Sequence, residues 1–342
     1  MRKFITRRTF LRGAAAVAAV LTLPPILNLQ GAPMTNILGV DLAALPKSGT
    51  AYNRVLALSK KSGTLNYGLV ATKNNPVLIA KAIMGDKAGV LAMIRASKST
   101  LSASSDSLAV SRNLAATAIA LSLVGAHEED AWLRVARDTK YSRLGTLTSA
   151  ARKANNHGSA ADQSLVAVDL HLGDVTHLAA QVIPTVKVRF GEPSPPIGNG
   201  NLNPAIKLNF GDLSFQAHPL KPVVIGLVGD VKQGISLDGC LAEEQRRQGT
   251  FPNLNGGNYN FGASGQLLLT AFMLERAGYG AKDWTNVAVK RVFAFFKSHG
   301  WAPSGDDRWQ GHMVKALYGP GITPLAVGDG KTMACTDYLF AQ

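Results

Sequence analysis

The residues best suited to chemistry stand in two distant places: Asn155-Asn156-His157-Gly158, and Arg246-Arg247 with Tyr259 further downstream. An amide, an imidazole, a guanidinium and a phenol are the groups that β-elimination across a uronic acid sugar needs. The amide and guanidinium can neutralise a carboxylate, which acidifies the carbon-bound proton beside it. The imidazole or phenol can remove that proton, and the phenol can protonate the departing glycosidic oxygen. No step calls for a cofactor or a metal.

Each piece also has an ordinary reading. Residues 155–158 lie between two predicted helices, where Asn and Gly close one helix and Ser159 caps the next. Arg246-Arg247 ends a charged segment that follows the turn Asp238-Gly239. Gly256-Gly257 before Asn258-Tyr259 reads as a flexible loop before a helix. The chemistry exists only if the fold brings the two segments together.

The elements that must do so are helical. Residues 75–181 show helical patterning, with Pro76 at a first helical position. Residues 107–124 are apolar on more than one face, which predicts a helix buried between neighbours. Residues 128–152 are more amphipathic, with Trp132, Leu133, Val135 and Ala136 on one side. A further helix spans 159–182 with a break at Gly173-Asp174. Helical periodicity returns over 261–278 and 283–299, which predicts an all-helical array.

Between the two motif segments the character changes. Residues 184–236 hold seven prolines, and Lys187-Val188-Arg189-Phe190 and Ile206-Lys207-Leu208-Asn209-Phe210 alternate as short strands do. About fifty residues are too few for an independent domain, so this is read as a partly β insertion near one rim of the helical body.

The N-terminus carries an address. Thr6-Arg7-Arg8-Thr9-Phe10-Leu11-Arg12 precedes an apolar run and Pro24-Pro25, the pattern of a twin-arginine export signal. The run is too short for a membrane span. The expected division is a signal segment at 1–32 and one domain at 33–342, exported by the twin-arginine translocase to the periplasm or beyond, without stable membrane insertion. Five of the 36 Lys+Arg lie in that segment, leaving 31 against 22 Asp+Glu, a net +9. A basic surface suits a polyanion. Outside the cytoplasm this points to acidic polysaccharide, not nucleic acid. Cys240 and Cys335 could form one structural disulfide there. The seven histidines show no metal-ligand spacing, and no metal or cofactor is expected. Trp309 could stack on a sugar face or serve packing.

The order of these motifs resembles the alginate lyase-like polysaccharide lyases. The matching residues are Asn155-Asn156-His157-Gly158 with Asp162-Gln163, then Asp238-Gly239-x-Leu241-x-x-Glu244-x-x-Arg247, then Asn258-Tyr259 and the apolar helix that follows. Arg112-Asn113-Leu114-Ala115 and residues 330–338 are similar to relatives as well. The resemblance implies an incomplete (α/α) toroid that carries the Pro/Gly-rich, partly β insertion. It also implies roles. Asn156 and Arg247 would neutralise the substrate carboxylate. His157 would act as base or orient that carboxylate, and Tyr259 would protonate the leaving oxygen or take the proton in syn elimination. Asn155, Arg246, Asn258 and Trp309 would line the substrate groove. Two departures stand out: Arg247 and Tyr259 are further apart than in relatives, and Ala160-Ala161 replace a bulky aromatic pair. The expected function is a lyase on alginate or a similar uronate polymer. A non-catalytic polysaccharide binder is the second reading, and an uncleaved, tethered envelope protein the third.

Overall fold

In a computed structural model of the chain, which describes residues 36–69, 74–140, 150–192 and 208–340, helix follows helix. They are α1 (Thr50–Ser59), α2 (Asn75–Ile83), α3 (Lys87–Ala103), α4 (Ser107–Leu123), α5 (Asp130–Lys140), α6 (Asn156–Leu172), α7 (Ile183–Arg189), α8 (Ala242–Arg246), α9 (Asn258–Arg276), α10 (Trp284–Ser298), α11 (Gln310–Tyr318) and α12 (Thr336–Leu339). The mainly helical class expected from the sequence is the class observed. The export segment at 1–32 and residues 193–207 of the insertion lie outside the described residues. The chain divides into Met1–Pro33 and a compact unit of Met34–Gln342.

Helix starts follow side-chain caps. The Asp86 carboxylate accepts from the Gly89 N–H at α3, and Asp106 accepts from the N–H groups of Leu108 and Ala109 at α4. Pro76 occupies the first turn of α2, where its missing donor costs nothing. Helix α4 is buried from Leu108 to Leu123, the outcome of a sequence apolar all round. Helix α6 packs chiefly against α4 and α9. The three form the centre of the core, and they also carry Asn156, His157 and Tyr259. The opposite ends of the compact unit meet, since Arg54 of α1 pairs with Asp329 and Asp337 and Tyr338 Oη donates to Pro46 O at 2.8 Å.

Five expectations need correction. Residues 187–189 are helical, because the helical run that begins at Val175 continues through Pro184 into α7, which buries Val186 and Arg189. Strand structure among the described residues of the insertion is a hairpin, Val231–Lys232 (β1) against Ile235–Ser236 (β2). Its turn uses Gln233 and Gly234, both at positive φ. Val135 is exposed, since two residues from Leu133 is the far side of a helix. Regular helix in α10 begins only after Val287, because Thr285, Asn286 and Val287 form a left-handed turn. Arg291 donates to the Asn286 and Thr285 carbonyls there, at 3.0 and 3.2 Å. Finally, Cys240 and Cys335 are buried free thiols rather than a disulfide.

Candidate active site at the start of helix α6

The corner before α6 is not the junction its composition suggested. Asn155 caps α6 instead of closing the preceding helix: its Oδ1 accepts from the His157 N–H at 3.1 Å. Asn156, His157 and Gly158 are therefore the first turn of a long buried helix, and Ser159 lies within it. Gly158 is required by a close approach. A Cβ there would lie 2.0 Å from Lys153 O and 2.7 Å from both terminal nitrogens of Arg189. Arg189 is fully buried, pairs with Asp162, and donates to the carbonyls of Lys153 and Ala151 at 2.8 Å each. One buried guanidinium thus clamps the corner that presents Asn156 and His157.

The second segment docks on that corner. Arg247 Nη1 donates to Asn156 Oδ1 at 2.6 Å and to Glu244 Oε2 at 3.2 Å. The same guanidinium carbon lies 3.9 Å from the centroid of the Tyr259 ring. Glu244 closes the arrangement by accepting the Asn156 backbone N–H. Asn156 is 4 % exposed and Tyr259 41 % exposed, so the arrangement runs from the core to solvent. The longer spacing between Arg247 and Tyr259 does not separate them, because the 248–257 loop returns the chain to Gly257, where α9 begins.

His157 stands beside this group. Its Nδ1 is 3.0 Å from Ser107 Oγ. Its pKa is pushed down to about 4, first by burial, then by the charges of Lys153 and Arg247, with Arg112 adding and Asp106 opposing. The imidazole is therefore neutral near pH 7 and can accept a proton. Glu244 moves the other way, up to about 7, because burial outweighs the pull of Arg247 and the Asn156 N–H. Three cations and a helix N-terminus converge where an anionic carboxylate would be welcome.

Not every expected residue joins this group. Arg246 turns aside to Glu243, at 3.1 Å, and Asp212, at 3.7 Å. Asn258 is exposed at the first position of α9, and Asn155 spends its side chain on the cap. Trp309 is 3 % exposed and packs on Gly265 and Gly330, so it offers no face to a sugar. Ser107 and Glu244 are the neighbours that residue types alone did not single out. Glu244 had a signal in its spacing, three residues before Arg247 on one helical turn. The insertion edges this site: Ala154 N donates to Asn209 O at 3.0 Å, and Gly211 N to Glu243 Oε1 at 2.9 Å.

Residues 5–24 match the family of TAT (twin-arginine translocation) pathway signal sequences. The chain carries an export signal. Passage through the twin-arginine translocase follows from that match, and no helix among the described residues is long and apolar enough to cross a membrane. No curated protein matches the chain.

Proposed function

We propose that this exported protein is a polysaccharide lyase that cleaves an acidic, uronate-containing polymer by β-elimination in the periplasm or outside the cell. The observation that carries the reading is the convergence of Asn156, Arg247 and Tyr259, with the neutral His157 beside them. With Asn156 Oδ1 held by Arg247, its amide N–H groups remain for the substrate carboxylate. Arg247 adds the charge that stabilises the carbanion-like transition state. The C5–H bond breaks and its proton passes to Tyr259 Oη or to His157. The electron pair forms the C4–C5 double bond, the C4–O bond breaks, and the leaving oxygen takes a proton from Tyr259. Neither oxidant nor reductant is needed.

Alginate is the default polymer by resemblance, with glucuronan close behind. An incomplete (α/α) toroid is the matching architecture, and the contacts of α1 with α12 support a helical array whose ends approach each other. The second reading, a binder without turnover, is favoured by the exposed Tyr259 if its phenol stands clear of the bound sugar. Mass spectrometry of polymer incubated with the purified protein separates them. Fragments ending in an unsaturated uronate support the lyase. Intact polymer retained by the protein supports the binder.

A further inference from the structure

His127, Asp130 and His171 meet where α5 begins and α6 ends. Asp130 is the first residue of α5, and its two carboxylate oxygens face different imidazoles. His127 Nδ1 donates to Oδ2 at 2.9 Å, and His171 Nε2 donates to Oδ1 at 2.9 Å. The two rings stack with centroids 5.3 Å apart and planes 10° from parallel. One ligand atom from each of the three residues lies within 4.8 Å of the others. The side chain of His171 is 1 % exposed, that of Asp130 32 % and that of His127 68 %. The cluster thus grades from a buried ligand to an exposed outer one.

Two imidazoles and a carboxylate suit a divalent transition metal and do not suit calcium or magnesium, which take oxygen donors. We propose that His127, Asp130 and His171 form a three-ligand site for a zinc-class divalent ion, with its open coordination positions facing solvent on the His127 side. Tetrahedral zinc bonds place ligand atoms roughly 3.3 Å apart. The two nitrogen–oxygen contacts need only open slightly to reach that spacing. The rings are too nearly parallel for one ion to lie in both planes, so His127 must turn about its χ2 bond, and its exposure leaves it free to do so. Asp130 and His171 need part only slightly.

A hydrogen-bonded clasp between the two helices is the simpler account of Asp130 and His171. In that account His127 is only a second, exposed donor on Asp130, whereas a metal site uses all three as ligands. The site is separate from the candidate active site. His157 and His171 are fourteen residues apart on α6, about 21 Å along its axis. An ion here would tie the start of α5 to the end of α6 and leave the elimination chemistry untouched.

The test uses tag-free, chelator-stripped protein titrated with Zn²⁺ by calorimetry, and with Co²⁺ by absorption spectroscopy. One ion per chain is expected, with a Co²⁺ spectrum typical of low coordination number. His127→Ala should weaken Zn²⁺ binding by about tenfold or more, since even outer-shell losses reach that size. His312→Ala, in α11, should leave binding unchanged. Because His171 is buried, the exposed His127→Ala variant carries the decision. Absence of saturable binding, or binding unaltered in His127→Ala, would overturn the proposal and leave a hydrogen-bonded clasp.

Discussion

Arg247 Nη1 reaches Asn156 Oδ1 at 2.6 Å across 91 residues of sequence, and the same guanidinium lies over the Tyr259 ring. One planar cation therefore touches an amide, a carboxylate and a phenol at once, which a lysine ammonium cannot do. Arg247→Lys should keep a charge opposite Glu244 and melt near the wild-type temperature, yet lose activity about tenfold or more. Arg247→Ala should also destabilise the fold, by about 3 kcal/mol, because it strands Glu244 without its cation. Thermal melts and initial rates on the same preparations check both. Equal activity in wild type and Arg247→Lys would remove Arg247 from the chemistry.

His157 makes a pH prediction. Its folded pKa of about 4 lies below the ordinary imidazole value of 6.5. Between those values the unfolded chain binds the extra proton, so stability rises with pH across that window and is lost as pH falls through 4. His157→Gln should flatten that slope in denaturant titrations at several pH values. If His157 is the base, the acid limb of the rate profile should centre near 4. A limb near 6.5 would mean that the imidazole is not in the environment described.

Gly158→Ala tests the clamp under the corner. The new methyl would press on Lys153 O and the Arg189 guanidinium, neither of which can yield freely. The expected cost is about 1–3 kcal/mol, as for overpacking elsewhere, read as a lowered melting temperature. A neutral result would mean that the α6 corner is looser than drawn.

Tyr259→Phe should cost little stability, within about 0.5 kcal/mol, because the residue is partly exposed and only its hydroxyl is removed. Polymer affinity should remain, since Asn156 and Arg247 hold the carboxylate. Turnover should fall by about a hundredfold or more with the loss of the proton-transfer group. Affinity measurements beside rate assays separate those effects.

The helical class was legible because residues 107–124 are apolar on more than one face and helical periodicity holds over 261–278. Asn156, His157, Arg247 and Tyr259 were legible as types, but their meeting was not, since it depends on how α8 and α9 dock on α6. The strand reading of 187–190 failed because alternating Val and charge also fits a short half-buried helix, and the helical run from Val175 passes through Pro184 without a break. The choice between stacking and packing for Trp309 was open for a related reason, since neither Gly265 nor Gly330 reveals in sequence that it makes room for an indole. The His127, Asp130 and His171 cluster was invisible because its ligands come from a loop and two helix ends 41 residues apart.

The central claim is elimination, and its most direct measurement is ultraviolet absorbance of the conjugated C4–C5 double bond while the mature protein acts on alginate and glucuronan. A steady rise with wild type, slowed about tenfold or more in Arg247→Lys and about a hundredfold or more in Tyr259→Phe, is the expected result. A flat trace with each uronate polymer tested, alongside measurable polymer binding, would contradict it and leave a basic polysaccharide-binding protein in its place.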